Sequence, residues 1–534
     1  MELWGALVGS GLSRCPASRS LIQFVYCWSD PRADSKERMN NMLSLGYDIG
    51  SSSVKCALLD CESGKTIALG SYPAEEMAIH SPKPGWAEQD PELWWQYVSV
   101  LTRQLMTTNA VDPAQVTAIG ISYQMHGLVL VDDQQRVLRP SIIWCDSRAV
   151  EIGQKSFEAL GKEFCLGRLL NSPGNFTASK LRWVKEHEPD VFKKVYKAML
   201  PGDYIAMKLT GEVSTTVSGL SEGIYWDFVE NAISREVLEY YQIEERVLPT
   251  VRPTFSVQGQ LTKHAAGQLG LREGTRVAYR AGDQPNNAFS LNVLNPGEVA
   301  ATAGTSGVVY GVLGKIIHDT KSRVNPFAHV NHSAGQPRLG VLLCINGTGI
   351  LNSWLRKNIA SGMSYAEMNG AAAGVEAGSD GVTVIPFGNG AERVLENANV
   401  GGQVFGLDFN RHSRAHLLRA AQEGIAFAFK YGMDVMKEMG MDIRMIRAGQ
   451  TNMFLSPIFR DTLANCTGAT IELYETDGAQ GAARGAAIGA GLYASFRDAF
   501  ISLTKVKEVR PAESAMDVTR GAYERWLSLV RRSM

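Results

Sequence analysis

Apolar and polar positions alternate in short blocks from Leu43 onward. Leu43 to Tyr47 reads as a strand, Asp48-Ile49-Gly50-Ser51-Ser52-Ser53 as a polar turn, and Val54 to Leu59 as a second strand. Strand, Gly/Ser turn and strand predict a β-hairpin. The same grammar returns far downstream. Val299 to Ala303 is apolar, Gly304-Thr305-Ser306-Gly307 is the turn, and Val308 to Leu313 is the outgoing strand. A repeat at so long a separation is no solenoid and predicts two domains, each opening with a similar hairpin.

Between and after the hairpins, strand and helix periods alternate. Val116 to Ser122, Leu128 to Asp132, Arg136 to Trp144 and Thr275 to Tyr279 read as strands. Pro91 to Thr107 has helical spacing, with Leu93, Trp94, Tyr97, Val98 and Leu101 able to share one face, and His416 to Met439 is a second helix. Asp90 before Pro91 predicts an N-cap followed by proline at the first helical position. The alternation predicts α/β architecture. Two prolines within Leu248 to Pro253 mark an expected inter-domain connection. Near the C-terminus, Gly478, Gly481, Gly485 and Gly489 share one helical face among alanines. Each helical glycine costs ~1 kcal/mol relative to Ala, so another backbone is expected to pack very close.

Residues 1–41 lack this patterning. Their longest apolar run, Leu21 to Trp28, is interrupted by Gln23 and is too short and wrongly flanked for a secretory signal. Acidic residues among the basic ones argue against a transit peptide. A disordered tail or overlong start is expected there, with no function.

Composition narrows the function classes. Hydrophobic residues at 45% and charged residues at 20% exclude a mainly disordered chain. A net charge of −1 gives no global footprint for nucleic acid. No apolar run approaches the ~18 residues of a spanning helix, so no membrane partner is expected. The eight cysteines and nine histidines form no ligand-spaced cluster, which disfavours a protein-ligated zinc and fits reduced thiols in the cytoplasm.

Several residues are candidates for chemistry. Asp48 enters a turn whose Gly50, Ser51 and Ser52 offer N–H groups and hydroxyls for phosphate oxygens, with Lys55 on the outgoing strand. Asp48 is also suited to Mg²⁺. Gly304, Thr305 and Ser306 offer a second such turn, and two facing turns could grip a di- or triphosphate. No Walker-type Gly-Lys-Ser/Thr loop is present. Asp283, followed by Gln284 and preceded by a strand, could serve as general base for a hydroxyl nucleophile or simply as a turn or cap carboxylate. Met125 and His126 separate two strands and could face a polar substrate, and Trp86 could flank a sugar.

Taken in order, "WAEQDPELWW" (Trp86 to Trp95), "YQMHG" (Tyr123 to Gly127), "FTASKLRWV" (Phe176 to Val184), "AGTSG" (Ala303 to Gly307) and "EGIAFAFKYGMDV" (Glu423 to Val435) make the chain similar to the FGGY family of carbohydrate kinases from Leu43 onward. The resemblance implies two actin-like (ribonuclease H-like) ATPase domains flanking a deep cleft. Residues 43–288 would form the sugar-binding side and residues 289–534 the nucleotide-binding side. It implies transfer of the ATP γ-phosphoryl group to a ketopentose, D-xylulose, to give its 5-phosphate. The alternatives are another ketose or polyol, such as ribulose or glycerol, or a non-catalytic sugar-binding regulator. Asp283 matches the catalytic base and, with Asp48, a Mg²⁺-associated carboxylate. Met125 and His126 match the sugar-contacting pair, and Gly449, Gln450 and Asn452 fall in the adenosine loop. Two positions depart from the family pattern: Gln284 stands where Asn is usual, and the adenosine loop retains Gly449 but not its consecutive glycines. ATP, Mg²⁺ and a small sugar are the expected ligands, and a homodimer is an allowed assembly.

Overall fold

The computed structural model describes residues 42–534; the tail or overlong start expected over residues 1–41 lies outside them. Two sheets organise the chain. The first contains β1 (Leu43–Ile49), β2 (Val54–Asp60), β3 (Thr66–Tyr72), β4 (Val116–Tyr123), β5 (Phe255–Gln260) and β6 (Arg276–Gly282), in spatial order β5-β6-β4-β1-β2-β3. Strands β1, β4 and β6 run parallel at its centre. The second contains β7 (Glu298–Ala303), β8 (Gly307–Leu313), β9 (Asn325–Ala328), β10 (Leu339–Ile345), β11 (Met445–Gly449), β12 (Thr470–Tyr474) and β13 (Lys505–Val509), in order β9-β10-β8-β7-β11-β12-β13. There β7, β11 and β12 are the parallel strands. Both expected hairpins form, β1–β2 and β7–β8, each antiparallel.

Helix α1 (Pro91–Thr108) begins as its sequence predicts: the Asp90 side chain accepts from the Glu92 N–H with Pro91 in the first turn. It buries Trp94, Trp95, Val98, Leu101 and Leu105, while Leu93 and Tyr97 sit at the rim. Helices α2 (Thr177–His187) and α3 (Val217–Glu222) lie in the long excursion between β4 and β5. Helix α4 (Asp283–Ser290) follows β6 without a break; α5 (Gly349–Asn358) and α6 (Arg414–Glu438) belong to the second half.

The Gly/Ala segment is helix α7 (Gly478–Gly489), and it packs on the first sheet although it follows β12 of the second. Glycine is required on both surfaces. A Cβ on Gly46 would lie 2.0 Å from the Ala479 carbonyl oxygen, and one on Gly120 would lie 2.0 Å from that of Ala482. One on Gly489 would lie 1.8 Å from the carbonyl oxygen of Ala278. The Ser44 hydroxyl donates to the Ala483 carbonyl at 2.7 Å. This backbone-to-backbone contact offsets the helical cost of the glycines and joins the two halves below the strand ends.

Two expectations fail. Of Arg136 to Trp144, only Ser141–Ile142 is strand, paired with Glu88–Gln89; Pro140 interrupts the ladder, since it has no N–H to donate. The proline-rich Leu248 to Pro253 is not an inter-domain connection. Thr250–Val251 pairs with Ser214–Thr215, and the chain then returns to the first sheet as β5 and β6.

Candidate active site

The parallel strands of the first sheet deliver the carboxylates. Asp48 lies opposite Ser122 of β4 on one side, and Gly282, the residue before Asp283, lies opposite Tyr123 of β4 on the other. The two acids therefore emerge from strands flanking β4 at their carboxyl ends, where open α/β sheets take ligands. The Ser122 hydroxyl donates to Asp48 Oδ1 at 2.7 Å. Gly478, at the start of α7, lies close against the Asp48 carboxylate, and any side chain there would collide with it.

Burial pushes both acids up. The Asp283 carboxyl rises from 3.8 to about 7, mainly through burial and then through the charge of Asp48, while hydrogen bonds from Gln284 hold it down. Asp48 is raised by burial, partly countered by Lys55 across the hairpin and by the Ser122 bond. Asp283 is the first residue of α4, with Gly282 as the N-cap, and its carboxyl accepts main-chain N–H bonds at this helix start, so a turn-like bonding role accompanies its place beside Asp48.

Met125 and His126 sit beside this pair. The Met125 side chain and the Glu222 carboxylate both press on Gly282, the former 2.6 Å and the latter 2.7 Å from where a Cβ would stand. His126 has a positive φ of 62°, rare for a residue with a Cβ. Its ring packs on Phe176 and Phe327 at centroid distances of 4.8 and 5.4 Å. Its Nδ1 lies 3.0 Å from the Glu222 carbonyl oxygen. A carbonyl only accepts, so Nδ1 carries the proton. Burial, with the nearby Lys180 charge, pushes the imidazole down to about 3. His126 is therefore neutral, and its Nε2 is left as a hydrogen-bond acceptor.

The second sheet carries the second glycine-rich turn. The Gly304 carbonyl accepts from the Gly349 N–H at 2.9 Å, and that of Thr305 from the Ile350 N–H at 3.1 Å, so the start of α5 braces the turn. The Thr305 and Ser306 side chains stay exposed. Asn452 Nδ2 lies 3.6 Å from the Cβ position of Gly304, which brings the second turn together with the Gly449–Asn452 loop at the ends of adjacent parallel strands β7 and β11. Gln450 is exposed, its N–H donating to the Tyr474 carbonyl. In the first turn, Gly50 N–H bonds the Ser53 carbonyl, Gln89 holds the Ser51 carbonyl at 2.7 Å, and Ser52 and Lys55 are exposed. The sheets meet at this point: Cys344 of β10, paired with Val308 beside the second turn, feels the charge of Asp283.

Trp86 is engaged elsewhere. The Arg148 guanidinium stands 3.8 Å over its ring, and Trp183 meets it edge-on at 5.1 Å. Three groups near the cleft escaped the sequence reading. Glu222 is buried, and burial together with the Asp283 charge raises its carboxyl well above the usual range. Arg393 of the second half bonds Asn325 and lies near enough to act on His126 and Cys344. Lys180 touches the His126 backbone. Of the three, only Lys180 lay in a motif that the sequence reading singled out.

Among the described residues, no group of three His, Cys, Asp or Glu side chains could hold a metal ion by itself. Two mutually repelling carboxylates do fit a divalent cation that arrives with phosphate oxygens completing its shell. No helix among the described residues is long and apolar enough to cross a membrane.

The model of the FGGY carbohydrate kinase N-terminal domain matches residues 43–290, and that of the C-terminal domain matches residues 299–494. The chain is 30% identical over 463 residues to a xylulose kinase of Escherichia coli, covering 86% of this chain and 92% of that one. The crystal structure of xylulose kinase from Rhodospirillum rubrum superimposes with a TM-score of 0.83 at 27% identity, covering 92% and 98% of the two chains. Plasmodium falciparum glycerol kinase with ADP shares the fold with a TM-score of 0.82 at 18% identity, covering 92% and 98%. The two sheets and their helices thus have the bilobed, actin-like arrangement of these kinases.

Proposed function

This chain belongs to the FGGY family of carbohydrate kinases, and from that premise we propose that it phosphorylates D-xylulose to D-xylulose 5-phosphate with Mg-ATP. The observation that carries the reading is the meeting of Met125 and Glu222 at Gly282, the residue before Asp283, with His126 next to Met125 and bonded to the Glu222 carbonyl. An apolar wall, a hydroxyl acceptor and a base near neutrality stand together there.

In this reading residues 43–288 form the sugar side and residues 289–534 the nucleotide side. A sugar hydroxyl donates to His126 Nε2 while another is held by Asp283, with Gln284 beside it. The phosphate turns Gly50–Ser52 and Gly304–Ser306 receive the polyphosphate, and Gly449, Gln450 and Asn452 border the adenosine. Asp283 accepts the proton of the attacking hydroxyl as its oxygen bonds the γ-phosphorus and the bond from that phosphorus to the β-phosphate oxygen breaks. ADP leaves, and the proton passes from Asp283 to solvent. Positioning and charge stabilisation supply most of the acceleration in such transfers. Asp48 and Asp283 would hold Mg²⁺, which supplies positive charge over the phosphate oxygens. Use of ATP and a free sugar sets the enzyme in the cytoplasm.

Gln284 favours a second reading, a different ketose or polyol. Its side chain hydrogen-bonds Asp283 and is one methylene longer than the usual Asn, which changes the space left for the reacting hydroxyl. Sugar-dependent ADP release, measured over D-xylulose, D-ribulose, glycerol and gluconate, separates the two. The highest kcat/KM is expected with D-xylulose; a preference of tenfold or more for another substrate replaces it.

A further inference from the structure

Phe176 to Val184 supplies a buried cation to which the mechanism assigns no task. Lys180, in α2, is 0% exposed. Its Nζ donates to the carbonyl oxygen of His126 at 2.8 Å and to that of Ile143 at 2.9 Å. Both acceptors are main-chain groups, so no carboxylate hydrogen-bonds the ammonium directly. Burying a cation this way costs several kcal/mol, and an apolar side chain would fill the space more cheaply. Burial accordingly pulls its pKa down to about 7, with Asp146 the main charge opposing the fall.

The same stretch meets the His126 loop at other points. Phe176 packs on the imidazole, and the Thr177 hydroxyl donates to the Gly127 carbonyl at 3.4 Å. His126 needs such support. A left-handed residue with a Cβ costs ~1–2 kcal/mol, and the loop carries it between two strands. The Glu222 carbonyl fixes the ring from one side, and the Lys180 ammonium fixes the peptide from the other.

We propose that Lys180 is a positioning residue for sugar recognition: by fastening the carbonyls of His126 and Ile143, it locks His126 in its left-handed conformation and aims Nε2 at the substrate. This rests on the sugar-contacting role given to His126 above. Lys180 touches neither substrate nor reacting atoms; it acts through His126.

The test is steady-state kinetics of the full chain with sugar and Mg-ATP varied separately. Lys180→Met keeps length and removes the donors. It is expected to raise the sugar KM tenfold or more, with the ATP KM within about twofold of the parent and kcat falling less than the sugar KM rises. Lys180→Gln, which retains N–H donors, is expected to lie between the two. In a His126→Ala background, Lys180→Met should add little further to the sugar KM, because the group it positions is gone. If Lys180→Met does not fold, the comparison of Lys180→Gln with the parent, in both backgrounds, carries the test. An unchanged sugar KM in a folded Lys180 variant overturns the proposal. So does an equal rise of both KM values, which marks a general structural role, or an undiminished Lys180 effect without His126. A sugar KM unmoved by His126→Ala alone instead overturns the role of His126, and that outcome reads separately from the others.

Discussion

Replacing Asp283 by Asn is expected to stabilise the folded protein, and only above acidic pH. The folded carboxyl titrates at about 7 against an ordinary 3.8. The native state therefore holds this proton more tightly than the unfolded chain does. Native stability contributed by the group is fully present below pH 3.8, falls as pH rises through the interval to about 7, and stays lost above it. A gap of roughly three units at 1.36 kcal/mol each sets a ceiling of ~4 kcal/mol. The carboxylate is partly open to the cleft, so water screens it and about half the ceiling, ~2 kcal/mol, is expected. For a lobe of this size that is ~4–8 °C in Tm. Thermal unfolding of parent and Asp283→Asn, followed by circular dichroism at pH 4 and pH 8, makes the comparison. The curves should nearly coincide at pH 4, and the variant should melt higher at pH 8. A variant equal to or less stable than the parent at pH 8 refutes the reasoning, for then no charge is being held at Asp283 against burial and the field of Asp48. Such a gain on removing a site group is the ordinary trade of stability for function.

Further outcomes follow from the same geometry. The kcat/KM for sugar should fall about tenfold for each pH unit below the Asp283 transition near 7, because the base must be ionised; a rate constant down to pH 5.5 would contradict this. Gly120→Val should cost about 3 kcal/mol or more of stability and lower Tm sharply, because its Cβ would meet the backbone of α7 at 2.0 Å and neither backbone can yield; an unchanged Tm would show that the helix is not seated as described.

Much of the architecture was legible because it is written in short-range pattern. The two hairpins announce themselves through Gly50–Ser53 and Gly304–Gly307, the α1 start through Asp90-Pro91, and the close approach of α7 through four glycines on one face. Asp283 stood out as a carboxylate directly after a strand. Illegible features are those that depend on where the chain goes next. The prolines near Leu248 punctuate the chain but cannot say that β5 and β6 will rejoin the first sheet. Val137, Leu138, Ile142 and Ile143 suggest one strand, yet their partners differ: Val137 makes a single bridge to Val131, and only Ser141–Ile142 pairs as a ladder, with Glu88–Gln89. Lys180 and Glu222 acquire meaning only when folding carries them to His126 across separations of 54 and 96 residues. Trp86 shows the converse: an aromatic ring that suits a sugar in sequence is occupied by Arg148 and Trp183 in space.

The role proposed for Asp283, at the head of α4, is the centre of the account. Asp283→Ala, given saturating Mg-ATP and D-xylulose in a single-turnover experiment with sugar affinity measured alongside by calorimetry, tests it most directly. The account predicts phosphoryl transfer slowed by ~10²–10⁴-fold, with sugar affinity changed by no more than a few-fold. Transfer at close to the parent rate would contradict it.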